Sequence, residues 1–140
     1  MKSNFNDLAL LLLRLALGSI MWAHGAQKLL GLFGGHGPQG FVRFVASLDM
    51  PPALGWLVIA IEFFGGIAIV LGVLSRLAAL GFAVVMVVAI AKVHWASGFF
   101  LGPKSTGFEY QILLGAAALA IFLAGPGRYA LFGRTRNLLA

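Results

Sequence analysis

The 140-residue chain contains no cysteine. That absence excludes a thiol nucleophile, a disulfide relay and any metal held by thiolates. Acidic residues number only four, and charged residues of both signs make up 10% of the chain, where a soluble domain carries about 25%. A water-soluble surface cannot be built from so little charge. The zinc-protease pattern H-E-x-x-H, a glycine-rich phosphate loop, a nucleophile elbow and an acidic metal cluster are also missing. So are internal repeats, heptad runs and low-complexity tracts.

What remains is apolar. Hydrophobic residues form 61% of the chain and the mean hydropathy is +0.98, which makes this an integral membrane protein of one domain, residues 1–140. The net charge of +6 reads as an orientation signal and contact with anionic lipid, not as nucleic-acid binding.

Four apolar runs are long enough to cross hydrocarbon. After a polar lead-in, residues 1–7, the first is Leu8–Leu30. Ala23-His24-Gly25 resembles a signal cleavage site, but Arg14 inside the run argues for an uncleaved span. The second is Leu54–Gly72, opened by Trp56 and carrying Glu62 in its interior. Ser75-Arg76 makes a tight turn into the third, Leu77–Trp95. The fourth, roughly Phe108–Ala124, is broken by Gly125-Pro126-Gly127. The expected fold is an all-α, antiparallel bundle of four transmembrane helices.

Between the first two spans, G-L-F-G-G-H-G-P-Q-G is too glycine-rich for a regular helix. Phe41, Phe44, Val45 and Leu48 then recur at i, i+3, i+4 and i+7, which predicts a short amphipathic helix over about 39–49, stopped by Pro51-Pro52. It is expected to lie in the membrane interface; a lid folded over the bundle mouth, the alternative, has the same pattern. Residues 96–107 read as a loop. Ala79 with Ala83, and Ala116, Ala120 and Ala124, form small-residue ridges for helix contact. Gly25, Gly65, Gly66 and Gly72 are read as packing positions.

Flanking charge sets the topology. Lys2, Arg76, Arg128, Arg134 and Arg136 fall on one side, against Arg43 and Lys104 on the other. The positive-inside bias then places both termini, and the basic tail 128–140, in the cytoplasm. With that alternation, His24, Lys28, Glu62, Lys92, His94 and Glu109 gather in the outer half of the bundle, while Arg14 stands alone in the inner half.

A carboxylate in hydrocarbon costs roughly 2.5–3.5 kcal/mol on insertion scales, so Glu62 needs a partner. Lys28, Lys92 and Arg14 are the cations in reach. An ion pair that merely locks helices together satisfies this as well as a functional site does. Lys28 can snorkel to the interface. His24 lies too deep for that and needs a partner inside the bundle, whether a backbone carbonyl or a ligand. Lys92 and His94, two apart, face different ways on a regular helix, and His94 is the one expected beside Glu62. Glu109 suits the positive end of its helix. His24 and His94 on different helices meet the minimum for haem ligation, a weak signal, and haem is not expected. His36 sits in an exposed loop.

The segments G-S-I-M-W-A-H-G-A-Q-K-L, E-F-F-G-G-I-A-I-V-L-G followed by Arg76, A-K-V-H-W-A-S-G-F-F and G-P-G-R-Y occur in this order from about Leu8 to Phe132. Together they resemble the DoxX family of small bacterial membrane proteins, named for similarity to a small subunit associated with quinol oxidase and thiosulfate:quinone oxidoreductase. The resemblance marks Gly25, Lys28, Glu62, Gly66, His94 and Glu109 as characteristic positions. Ala130-Leu131-Phe132 departs from the serine–leucine–aspartate ending common in the family, and no catalytic residue is carried over.

The expected function is a redox-linked subunit of the bacterial inner membrane that binds a quinone or similar hydrophobic ligand in the outer half of the bundle. His24, Lys28, Glu62, His94 and Glu109 are its candidate ligand-binding residues. His24, Glu62 and His94 are candidates for proton relay, with Lys28 stabilising an anionic reduced ring. No metal is expected, and a protein partner would supply electrons. A homo-oligomer is open. A carrier for a small solute and a structural anchor for a soluble redox enzyme are the competing readings.

Overall fold

The computed structural model describes residues 2–131, so Arg134, Arg136 and the rest of the tail beyond Leu131 lie outside it, as does the side chain of Lys2. Helix α1 runs Lys2–Leu30, α2 Gly37–Ser47, α3 Pro52–Leu71, α4 Ser75–Ala89 and α5 Glu109–Ala124. Between α4 and α5 the chain forms a π-helical turn, Ile90–His94, a 3₁₀ turn, Trp95–Ser97, and a two-stranded ribbon of β1 (Leu101–Gly102) with β2 (Ser105–Thr106). The ribbon is antiparallel, with Leu101 opposite Thr106 and Gly102 opposite Ser105.

Among the described residues, three segments are long and apolar enough to cross a membrane: Asn4–Leu30, Pro52–Leu71 and Ser75–Ser97. At 16 residues, α5 is only about 24 Å long, short of the roughly 30 Å hydrocarbon thickness. The polar lead-in is not separate from the first span. Nothing in residues 2–7 breaks a helix, so α1 continues back to Lys2 and projects beyond the span. Asp7 there accepts a hydrogen bond from the Arg128 backbone at 3.0 Å, which ties this extension to the turn after α5.

The closest helix contact is α1 against α3. A β-carbon at Gly66 would stand 2.6 Å from the Trp22 nitrogen, one at Gly18 would stand 2.8 Å from the Gly66 carbonyl oxygen, and one at Gly25 would overlap the Phe63 backbone. Three glycines therefore bring two backbones together, the device that drives helix association in lipid. Gly18 carries as much of this seam as the two glycines anticipated from the sequence. Gly65 packs differently, under the Phe82 ring at 3.0 Å. Gly72 packs against Ala130 and Arg14, where a β-carbon would overlap Ala130 and stand 2.7 Å from the Arg14 guanidinium. It ends α3 with φ 78, in the left-handed region that glycine tolerates.

Gly25→Ala is expected to cost about 1–3 kcal/mol, the range for forcing extra carbon into a tight contact. Gly115→Ala is the control, since a β-carbon there meets only Met86 at 3.5 Å, an ordinary contact. Thermal unfolding of both variants in the same detergent decides; equal midpoints would remove the seam from the argument.

Phe82, Ala79, Ala83 and Met86 on α4 form the core with Leu114, Ala118 and Ile121 on α5 and Leu17, Met21 and Ile69 from the first pair. Ala116, Ala120 and Ala124 face outward, so the expected α5 ridge is on the wrong side. Helix α5 is apolar all round, and such a helix has no stripe from which its buried face can be read.

Candidate functional site

Helices α3 and α4 meet closely near their connecting turn, where Gly65 lies against Ala78 and Phe82, and Gly81 lies 3.1 Å from Ile61 by its β-carbon position. Away from that turn they enclose a cavity of about 330 Å³, lined mainly by leucine, valine, isoleucine and methionine. Helix α2 lies across one side and contributes Phe41, Phe44 and Val45, with Leu48 just after its end. The apolar stripe of α2 thus faces protein, as a lid over the bundle does, and Pro38 in its first turn sets its start two residues before the expected one.

The polar groups cluster on this cavity. Lys28 and Glu62 form an ion pair, their side chains 19% and 4% exposed. Of the cations in reach of Glu62, Lys28 is the partner because the glycine seam brings its turn of α1 against that turn of α3. The Lys28 ammonium also lies 4.9 Å from the Phe41 ring centroid, a cation–π contact worth about 0.5–2 kcal/mol. His24 lines the cavity one helical turn before Lys28.

Both Lys92 and His94 line the cavity, where a regular helix would have admitted one. The reason is the π turn, Ile90–His94, which widens the helix just where they sit. Such turns recur at functional sites. His94 Nδ1 lies 2.5 Å from the Thr106 carbonyl oxygen. A carbonyl only accepts, so Nδ1 carries the proton and Nε2 of the neutral ring is an acceptor. Nε2 takes an N–H from Gln111 at 3.1 Å. Both ring nitrogens of His94 are thus engaged in hydrogen bonds. Among the described residues no group of three or more metal-ligating side chains occurs.

The same bonds orient Gln111, whose Oε1 is buried with no hydrogen-bond partner. A buried acceptor left unmet costs about 1–3 kcal/mol. Gln111 and Tyr110 line the cavity and were not among the expected site residues; the signal available was a polar pair in the first turn of an apolar helix. Met21, Met50 and Met86 also line it, and flexible thioethers suit a variable ligand outline.

Glu109 is not brought to the cavity. Its Oε1 accepts from the Leu101 N–H at 2.8 Å and fastens the ribbon to the start of α5. Nor does Arg14 reach Glu62. It donates to the Ile69, Val70, Pro126 and Tyr129 carbonyls, at 2.7–3.2 Å, on the opposite side of the molecule.

The chain is 29% identical over 115 residues to a Bacillus subtilis (strain 168) protein named "Putative oxidoreductase CatD", covering 82% of this chain and 79% of that one. It is 27% identical over 125 residues to "Inner membrane protein YqjF" of Escherichia coli (strain K12), covering 89% and 90%. No solved structure matches it significantly. The DoxX family model matches residues 9–95, which span α1 to the π turn and hold Lys28, Glu62 and His94, and the chain belongs to the DoxX family.

Proposed function

We propose that the cavity binds a quinone or a similar hydrophobic ring, and that the protein serves as the membrane-bound, ring-binding subunit of a redox system. The observation that carries this reading is a buried ion pair, Lys28–Glu62, with His24 beside it on the wall of a mainly apolar, ring-sized cavity. Apolar walls favour the ring, and a few convergent polar groups fix its orientation. Lys28 and His24 can donate to a ring oxygen, and charge developing on that oxygen is stabilised by the ammonium in a low dielectric. Glu62 is placed to hold a proton in transit between the ring and Lys28. Gln111 Oε1 can accept from a ring hydroxyl. Reduction of the ring needs electrons as well as protons, and a protein partner supplies them. The word oxidoreductase in the name of the Bacillus subtilis relative supports this class.

The same proposal takes α5 as a fourth, short membrane-crossing element, completing an antiparallel four-span bundle in the bacterial inner membrane. The apolar composition of α5 and its packing on α4 support it. Lys28, Glu62 and the cavity then lie towards the outer face and both termini in the cytoplasm, as the distribution of positive charge favours.

The test is organic extraction of protein purified in mild detergent, with mass spectrometry of what is released. Wild type is expected to carry a quinone, and His24→Ala, eluting as a folded species, to have lost it. Phospholipid alone from both proteins would overturn the proposal in favour of a structural anchor.

A further inference from the structure

The wall of the cavity is incomplete on one side. Leu54 and Leu57 of α3 and Val84 and Val88 of α4 line the cavity and are at the same time exposed on the outside of the molecule, Leu57 at 53% and Val84 at 55%. A side chain can do both only at the rim of an opening. The opening follows from helix geometry: α3 and α4 touch near their connecting turn, through Gly65 and Gly81, and leave a gap towards the other end. Phe44 of α2, exposed and lining the cavity, borders the gap from above.

This window does not face water. Its rim is leucine, valine and phenylalanine. Val84 and Val88 lie nine and thirteen residues into the 23-residue segment Ser75–Ser97, so roughly 14–20 Å from its start, at the depth of acyl chains. The polar end of the cavity, Lys28 with Glu62, lies instead beneath Phe41 of the α2 lid. A ligand must therefore present its polar ring to the lid end and its apolar remainder to the lipid side.

We infer that the gap between α3 and α4 is a lateral portal through which a chain-bearing membrane amphiphile enters from the bilayer, its ring going to Lys28–Glu62 and its prenyl or acyl chain lying across Leu57, Val84 and Val88 into the lipid. This rests on the ring-binding reading above and adds the substrate class: a lipid-borne ring with a chain, not a water-soluble ring. The chain gains affinity from each methylene that the window shelters. The ring needs no part of the window.

The test separates chain from ring. In nanodiscs, binding of 2-methyl-1,4-naphthoquinone and of the same ring carrying a prenyl chain is measured for wild type, Val84→Trp and Leu57→Trp. Both substitutions are at exposed positions, so the fold is expected to survive. Val87→Trp is the control, being 65% exposed on α4 but not on the cavity. The portal predicts that the prenylated ring loses more than about tenfold in affinity in both window variants, while the bare ring and the control are unchanged. Unchanged binding of the prenylated ring in both window variants overturns the portal and leaves the ring site standing. Equal loss of both probes also overturns it, since the window would then serve the ring. If wild type binds neither probe, the ring-binding reading falls, and the portal with it.

Discussion

Lys28→Met is expected to be the most damaging single substitution at the cavity, worse than Glu62→Gln, and the double variant is expected to recover much of the loss. Removing one partner of a buried ion pair costs about 3–5 kcal/mol because the other charge is left without compensation. The two ends are not equivalent. Glu62 is 4% exposed on the wall of α3 and cannot reach water, whereas Lys28 is 19% exposed on a long flexible stem near the end of α1. An orphaned lysine can move its ammonium towards the interface, and an orphaned carboxylate on a short stem has nowhere to go. Replacing both by neutral groups removes the desolvation cost along with the attraction, which is why such replacements are often close to neutral. Unfolding midpoints of the two singles and the double, in one detergent, give the coupling. Losses that simply add would mean that the two charges do not act as a pair. Ligand retention is the second readout: a pair that only fastens helices predicts that the stable double variant still holds whatever wild type holds, whereas a ring site predicts that it does not.

Arg14→Ala should lower stability by at least about 3 kcal/mol, since hydrogen bonds to a charged group are worth roughly 1.5–3 kcal/mol each and are not fully additive. The guanidinium is buried and donates through Nε to Ile69, through Nη2 to Val70, and through Nη1 to Pro126 and Tyr129. Ile69 and Val70 lie in the last turn of α3, where a cation complements the dipole, and the Ile69 carbonyl accepts from the Gly72 N–H as well. Pro126 and Tyr129 belong to the turn after α5. One side chain therefore joins α1, the end of α3 and the exit of α5. Arg14→Lys should recover only part of the loss, because an ammonium lacks the planar fork that reaches several carbonyls at once. Thermal unfolding orders the three proteins as wild type, lysine, alanine; an alanine variant as stable as wild type would show that the carbonyls find other partners. Ligand binding at the cavity should persist in whatever fraction stays folded, because no residue of this clamp lines it.

The partner of Glu62 was legible from composition to within three cations, because hydrocarbon leaves a carboxylate few options. Which of them it meets was not, since that depends on how far α1 slides along α3, and the glycine contacts Gly18, Gly25 and Gly66 set that register. The amphipathic stripe of α2 announced a helix but not what covers it. Membrane surface and protein cavity are equally apolar to Phe41 and Leu48. Lys92 and His94 were divided by the 3.6-residue period, and the π turn cancelled the division. Glu109 stood at a plausible depth, yet the ribbon below it claimed its carboxylate.

By itself, the sequence determined the membrane class, the approximate bounds of three spans, the family and the presence of a buried charge that had to be paired. Those follow from solvent: chain polarity against a bilayer is a one-dimensional property, summed along the residues. Only the tertiary structure decided that Arg14 clamps carbonyls while Lys28 takes Glu62, that α5 turns Ala118 inward and Ala116 outward, and that α2 covers one side of a cavity between α3 and α4. In segments apolar on every side, hydrophobicity no longer distinguishes one face from another, so shape and close backbone contact choose among them.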